Sequence, residues 1–147
     1  MGPEMTALQD AYKSIKVLVI DDEEQFRATL ITMLKRLGVT AIQQSADGLS
    51  GYDELVRSRP DIVLCDVHMT PVDGQEFLHR VRESDDPAVR DVAMIFLSGD
   101  NQLDTVRGAM RYHADGYLVK PFKVSDLRQQ LDITITLLAQ HARAKRA

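Results

Sequence analysis

VLVIDDE, residues 17–23, decides the fold, because an unbroken apolar run is followed at once by acidic residues. A continuous apolar run is typical of a parallel strand that is covered by helices on both faces. Residues 62–65 (IVLC), 93–97 (AMIFL) and 116–119 (GYLV) repeat the pattern. Residues 41–45 (AIQQS) are a weaker, more polar candidate that suits the edge of a sheet.

Helical patterns lie between these runs. One apolar face follows the first strand, with Gly38 as its predicted C-terminal cap, and consists of Phe26, Leu30, Met33, Leu34 and Leu37. Four more helices are predicted near residues 49–57, 75–83 and 103–112, and from Val124 toward Ala142. Five strands alternating with five helices predict a three-layer α/β domain, and right-handed crossovers restrict it to a doubly wound sheet.

Composition excludes several classes of protein. The chain has 147 residues, 44% of them hydrophobic, which is long and apolar enough for one globular domain. The net charge of −4 argues against nucleic-acid binding as the main activity. A single cysteine excludes an internal disulfide framework, and no stretch has the form of a signal peptide or a membrane span. A soluble, cytoplasmic protein is therefore expected.

Chemically active residues end four of the predicted strands. In a doubly wound sheet, ligands bind outside the carboxyl ends of the strands. There the sequence places five such residues, namely Asp21, Asp22, Asp66, Ser98 and Lys120. Three carboxylates brought together repel one another unless a cation joins them, and Mg²⁺ prefers oxygen ligands. A metal, an ammonium and a hydroxyl around one carboxylate could neutralise a transferring phosphoryl group.

Each of these residues also has a structural explanation. An acidic pair after a strand often caps the next helix, and Asp22 or Glu23 could do so here. Asp66 alone could be a cap or turn residue, while Ser98 and Lys120 singly carry little information. The combination at four strand ends is what favours a functional site.

The sequence resembles the response regulator receiver family, the CheY-like superfamily, over about residues 15–140. The motifs that carry this resemblance are VLVIDDE at 17–23, DIVLCDVHMTPVDG at 61–74, FLSGD at 96–100 and DGYLVKPF at 115–122. The resemblance implies the flavodoxin-like strand order 2-1-3-4-5. It would make residues 1–14 an N-terminal extension, residues 15–140 a stand-alone receiver domain and residues 141–147 a basic tail of the last helix.

The resemblance also implies roles at the strand ends. Asp66 resembles the phospho-acceptor, and Asp21 and Asp22 resemble the acid pair that binds Mg²⁺, for which Mn²⁺ could substitute. The backbone carbonyl of His68 would be a further metal ligand. Lys120 matches the lysine that pairs with the phosphoryl group.

Further roles concern the switch and its lifetime. Ser98 matches the hydroxyl that binds the phosphoryl group, and Tyr117 matches an aromatic side chain that changes rotamer. The side chain of His68, together with Asp100, would tune water access to the acceptor. The bond between Lys120 and Pro121 resembles one that is cis in the family, and His113 stands where the family commonly has glycine.

In function, the resemblance implies a two-component signalling protein that catalyses only its own phosphorylation and dephosphorylation. A sensor histidine kinase or a histidine phosphotransfer protein would supply the phosphoryl group. The signal would leave through the face of the fourth predicted helix, fifth strand and fifth helix to an unknown protein target, without nucleic acid or membrane. The fifth helix could also mediate a homodimer.

Two other classes of function stay open at this point. A Mg²⁺-dependent phosphatase is disfavoured because His68 stands where an acid/base aspartate would follow the acceptor. An unphosphorylated interaction module is disfavoured by the complete set of polar residues at the strand ends. A flavin-binding protein is disfavoured because no glycine- or hydroxyl-rich phosphate loop follows the first strand.

Overall fold

The computed structural model describes residues 3–99 and 113–146, which contain a five-stranded parallel sheet. The strands are β1 (Lys16–Ile20), β2 (Ala41–Ser45), β3 (Ile62–Asp66), β4 (Ala93–Ser98) and β5 (Gly116–Val119). Their order in the sheet is β2-β1-β3-β4-β5, as predicted. The polar strand β2 lies at one edge, where water can solvate its two glutamines, and this prediction is confirmed.

Six helices occur in the described part of the chain. They are α1 (Pro3–Ser14), α2 (Glu24–Leu37), α3 (Gly48–Ser58), α4 (Gly74–Arg82), α5 (Pro87–Arg90) and α6 (Val124–Arg146). Four of them, α2, α3, α4 and α6, correspond to predicted helices. The helix predicted over residues 103–112 lies outside the described residues, as does Asp100. Helices α1 and the one-turn α5 were not predicted.

The sheet separates two apolar cores. Alternate residues of β1 show this, because Val17 and Val19 pack with α1, α2 and α6 on one face, whereas Leu18 and Ile20 pack with α3, α4 and α5 on the other. All four are fully buried. Burial on both faces explains why β1 is apolar throughout, since neither set of side chains reaches water.

A hydrogen bond between residues 120 positions apart in the sequence joins helix α1 to the last helix. The Tyr12 hydroxyl donates to Asp132 Oδ1 at 2.6 Å and lies 3.3 Å from the carbonyl oxygen of Arg128. Burial, followed by this hydrogen bond, raises the pKa of Tyr12, so the hydroxyl keeps the proton that it donates. In the segment predicted as an N-terminal extension, Pro3–Ser14 is thus helical and packs on α6.

Two predicted turns have the expected backbone. Gly38 ends α2 with φ of 105°, and its N–H donates to carbonyls of the last helical turn. His113, where the family commonly has glycine, has φ of 65°. Histidine tolerates this left-handed region better than most residues do. Among the described helices, none is both long and apolar enough to cross a bilayer.

Candidate functional site

The site forms where four parallel strands end at one edge of the sheet. Asp66 is the last residue of β3 and Ser98 the last residue of β4, while Asp21 directly follows β1 and Lys120 directly follows β5. The backbone N–H of Lys120 donates to the carbonyl oxygen of Ser98 at 2.8 Å, which continues the sheet pairing to the end of β5. Strand ends that are tied in this way have little freedom to move apart.

Three carboxylates converge at this edge. One oxygen from each of Asp21, Asp22 and Asp66 can be chosen so that all lie within 4.8 Å of one another. Asp21 is fully buried, Asp66 is 6% exposed and Asp22 is exposed to solvent. Mg²⁺ usually binds one or two carboxylates and keeps several water ligands. Two buried carboxylates beside an exposed one suit such an ion, because water can reach the exposed side. The donor set therefore fits the ion that the sequence predicts.

Lys120 supplies a positive charge beside these carboxylates. Its Nζ donates a hydrogen bond to Asp21 Oδ2 at 2.8 Å and lies 3.6 Å from Asp66 Oδ2. Only 15% of the lysine side chain is exposed, so solvent screens these interactions weakly. The ammonium is held firmly by Asp21 and also faces the proposed acceptor.

The surroundings of Asp66 raise the pKa of its carboxyl above the ordinary value. Burial raises the pKa of the Asp66 carboxyl most, and the negative charges of Asp21 and Asp22 raise it further. Lys120 and the N–H of His68, 3.3 Å from Asp66 Oδ1, act in the opposite direction. A cation bound between these carboxylates would lower the pKa of Asp66, because it would favour the charged form.

Asp21 is positioned by hydrogen bonds rather than used as a helix cap. Its Oδ1 accepts the N–H of Glu23 at 2.8 Å, and its carbonyl oxygen accepts Arg27 Nη1 at 2.6 Å. Glu23 is the N-cap residue of α2, yet its side chain makes no capping hydrogen bond. The alternative that Asp22 or Glu23 serves as a side-chain cap thus gains no support, because α2 begins without one.

Gly74 lets the loop after β3 pack closely against the backbone of Asp66. A Cβ at this position would lie 2.6 Å from the carbonyl oxygen of Asp66 and 2.8 Å from the Cα of Val67. The Gly74 N–H donates to the carbonyl oxygen of Val67 at 2.8 Å. Any larger residue would therefore require the backbone near Asp66 to shift. The bonds before Pro71 and Pro121 are both cis, and the second was predicted.

The remaining predicted residues lie around this centre. The side chain of His68 is exposed and lines the same cleft as Asp66. Ser98 is fully buried at the end of β4. Tyr117 is partly buried in β5, opposite Phe96, and packs against the core of α3 and α4. Their roles as tuning and switch residues stay predictions.

Phe26 is a site residue that sequence reasoning missed. The sequence assigned it to the apolar face of α2, where it does contact the core. In the structure its ring also lies beneath Lys120, with Nζ 4.0 Å from the ring centroid. It lines the cleft with seven other residues, namely Asp22, Glu23, Asp66, His68, Gly99, Lys120 and Pro121. An apolar residue in an apolar stripe gives no sequence signal for this contact.

Comparison with known proteins agrees with this geometry. The family model of the response regulator receiver domain matches residues 17–132. The chain is 27% identical over 120 residues to the chemotaxis protein CheY-3 of Vibrio cholerae, covering 82% of this chain and 91% of the relative. It is 30% identical over 135 residues to the transcriptional regulatory protein PdtaR of Mycobacterium tuberculosis, covering 92% of this chain and 62% of that protein.

Solved structures show the same fold. The chemotaxis response regulator CheY4 of Vibrio cholerae superposes with a TM-score of 0.75 at 26% identity, over 82% of this chain and 98% of that chain. The N-terminal domain of a response regulator receiver protein from Methanoculleus marisnigri gives a TM-score of 0.65 at 28% identity, over 81% and 94% of the respective chains.

Proposed function

The chain belongs to the response regulator receiver family of two-component signalling, and from that premise we propose that it is a phosphorylation switch with Asp66 as acceptor. Receiver domains of this family bind Mg²⁺ at an acidic pocket and interact with histidine kinases and downstream targets. The observation that carries the proposal is the convergence of Asp21, Asp22, Asp66 and Lys120 at one sheet edge.

The proposed chemistry uses Asp66 as a nucleophile. A carboxylate oxygen attacks the phosphorus of a phosphohistidine in line, and the P–O bond forms as the P–N bond breaks. The electron pair goes to the imidazole nitrogen of the donor. Lys120 offsets negative charge on the phosphoryl oxygens, because its ammonium is already 3.6 Å from the acceptor. The domain thus contributes catalysis by positioning, and only to its own modification.

The proposed metal site consists of Asp21, Asp22, Asp66 and the backbone carbonyl of His68. When bound, Mg²⁺ or Mn²⁺ supplies positive charge to the acceptor and to the phosphoryl oxygens. The chain's own contribution is to keep two of the carboxylates away from bulk water and to hold Asp21 through Glu23 and Arg27.

We assign the switch to Ser98 and Tyr117. The phosphoryl group draws the Ser98 hydroxyl inward, and Tyr117 fills the space that the hydroxyl leaves. Water later attacks phosphorus in line, releases phosphate and restores the Asp66 carboxylate. The exposed side chain of His68, together with Asp100, tunes how readily that water enters.

The proposed partners follow from this cycle. A sensor histidine kinase or a histidine phosphotransfer protein in the cytoplasm supplies the phosphoryl group. The output goes to a protein target through the face expected from the fourth predicted helix, β5 and α6, of which the structure describes β5 and α6. Ile133 and Leu137 on α6 are 50% and 55% exposed, which also supports contact between two copies of this helix.

Phosphate uptake tests the proposal. The protein is incubated with a small phosphodonor and Mg²⁺, and its acid-labile phosphate is measured. Asp66→Asn removes the nucleophile and should abolish uptake. Asp73→Asn is the matched control, because Asp73 is an exposed carboxylate of the same loop and asparagine can keep its capping bond to the Glu76 N–H. Unchanged uptake by Asp66→Asn would exclude Asp66 as acceptor.

A further inference from the structure

Lys120 has an aromatic partner in addition to its two carboxylates. Its Nζ lies 4.0 Å from the centroid of the Phe26 ring, well inside the range of about 6 Å for a cation–π interaction. The ammonium is therefore bounded by Asp21 at 2.8 Å, Asp66 at 3.6 Å and the ring. Phe26 is partly buried and lines the same cleft.

The ring of Phe26 packs against a second aromatic ring, and a neighbouring residue anchors its helix. Phe122 meets it edge to face, with centroids 5.7 Å apart and an interplanar angle of 84°. Phe122 is 8% exposed and belongs to the core between the sheet and α6. The next residue of α2, Arg27, donates a hydrogen bond to the carbonyl oxygen of Asp21 and so anchors the helix that carries Phe26. The ring of Phe26 thus lies between Phe122 of the buried core and the ammonium of Lys120.

An aromatic ring, unlike a carboxylate, can hold the ammonium without neutralising its charge. A carboxylate that holds a lysine also neutralises it, whereas a ring face attracts the cation through its quadrupole and leaves the net charge in place. Two carboxylates, Asp21 and Asp66, compete for Lys120. A neutral contact can hold the ammonium beside the acceptor while its charge stays available to an incoming phosphoryl group.

We propose that Phe26 is a positioning residue, which holds Lys120 between Asp21 and the acceptor and thereby sets the rate of phosphoryl transfer to Asp66. This inference rests on the proposed function and adds Phe26 to the residues that act in phosphoryl transfer. A cation–π contact with a largely buried ammonium corresponds to about a three- to tenfold change in rate if the contact is needed in the transition state.

Three variants test this role. Phe26→Leu keeps an apolar side chain but removes the ring face, and should slow uptake from a small phosphodonor about three- to tenfold. Phe26→Tyr keeps the ring face and should restore uptake to within about twofold of the parent protein. Tyr12→Phe removes the hydrogen bond to Asp132, and neither residue lines the cleft, so this variant controls for reduced stability and should leave uptake unchanged.

A spectroscopic measurement on the unphosphorylated protein tests the contact itself. The ring current of Phe26 should shift the proton resonances on the carbon next to the Lys120 ammonium upfield. The shift should persist in Phe26→Tyr and disappear in Phe26→Leu. If Phe26→Leu does not fold, Phe26→Met takes its place with the same expected results.

The inference is overturned if Phe26→Leu takes up phosphate at the parent rate, or if Phe26→Tyr is as slow as Phe26→Leu. It is also overturned if Tyr12→Phe is equally slow, or if the parent protein shows no upfield Lys120 resonance. Absence of uptake by the parent protein would instead refute the proposed function. The ring-current shift separates the two failures, because it needs no phosphoryl transfer.

Discussion

Replacing Lys120 by methionine tests how strongly the acidic site depends on the ammonium that contacts Asp21 and Asp66. The variant removes the ammonium but keeps most of the apolar stem. It breaks an ion pair whose side chains are 15% and 0% exposed, and it leaves Asp21 without its 2.8 Å partner. Removing one member of a buried pair costs about 3–5 kcal/mol. We take about 3 kcal/mol here, because Lys120 is not fully buried.

The cost corresponds to a measurable fall in melting temperature. For a chain of this size, each kcal/mol lowers Tm by about 2–4 °C, so Lys120→Met should melt about 6–12 °C below the parent protein in metal-free buffer at neutral pH. Saturating Mg²⁺ should raise Tm more in the variant than in the parent protein. The ion then supplies the positive charge that the variant lacks.

The pH dependence of this cost has a definite sign. Burial raises the pKa of the Asp66 carboxyl, and Lys120 lowers it, so loss of Lys120 raises that pKa further. A carboxyl with a raised folded-state pKa stabilises the folded protein below its ordinary pKa. That stability is lost as pH rises through the raised value. The loss of stability caused by Lys120→Met should therefore be largest at neutral pH. It should become smaller in acid, where the carboxyls are protonated.

Thermal unfolding followed by circular dichroism is the assay, with and without Mg²⁺ and across the acidic range. Lys123→Met is the matched control, because Lys123 lies three residues after Lys120 and its side chain is exposed. Substitutions at the surface change stability by about 0.5 kcal/mol or less. Equal melting temperatures for Lys120→Met and Lys123→Met at neutral pH would refute the reasoning. A deficit that grows in acid would refute it as well.

Two further predictions concern the acceptor loop and α6. Gly74→Ala places a Cβ against the backbone of Asp66 and should cost about 2 kcal/mol, or about 4–8 °C in Tm, together with slower phosphate uptake; a parent-like Tm would show that the loop moves freely. In analytical ultracentrifugation, phosphorylation should increase a dimer population that Leu137→Lys removes, because Leu137 is 55% exposed; a monomer at every concentration would contradict the dimer.

The strands could be predicted closely because their physical signal is local. Each apolar run is bounded by charged or turn residues, and β2 and β5 have the predicted limits, Ala41–Ser45 and Gly116–Val119. A strand that is buried on both faces needs an unbroken apolar run, and such a run can be recognised in the sequence. The polar β2 could be assigned to the edge for the same reason, since its glutamines need solvent.

Helix α1 could not be predicted from the same kind of signal. It is stabilised by packing on α6 and by the bond from Tyr12 to Asp132, residues separated by 120 positions. A pairing at that separation leaves no periodic pattern in a single sequence. The one-turn α5 is similarly defined by the cap from Asp86 and by Pro87 rather than by an apolar stripe.

The candidate site was predictable as a set of residues but not as a set of contacts. Strand ends place Asp21, Asp66 and Lys120 at one edge because parallel strands share their direction. Nothing in the sequence indicates that Lys120 bonds to Asp21 more closely than to Asp66. The same limit applies to Phe26, since its contact with the ammonium depends on how α2 lies over the sheet.

Reductive trapping of the phosphorylated protein tests the central claim most directly. After incubation with a phosphodonor and Mg²⁺, borohydride converts an aspartyl phosphate into homoserine, which peptide mass spectrometry locates. Homoserine should appear at position 66, and chelation of the divalent ion should abolish it. Conversion at a different carboxylate, or equal conversion at position 66 without any divalent ion, would contradict the account.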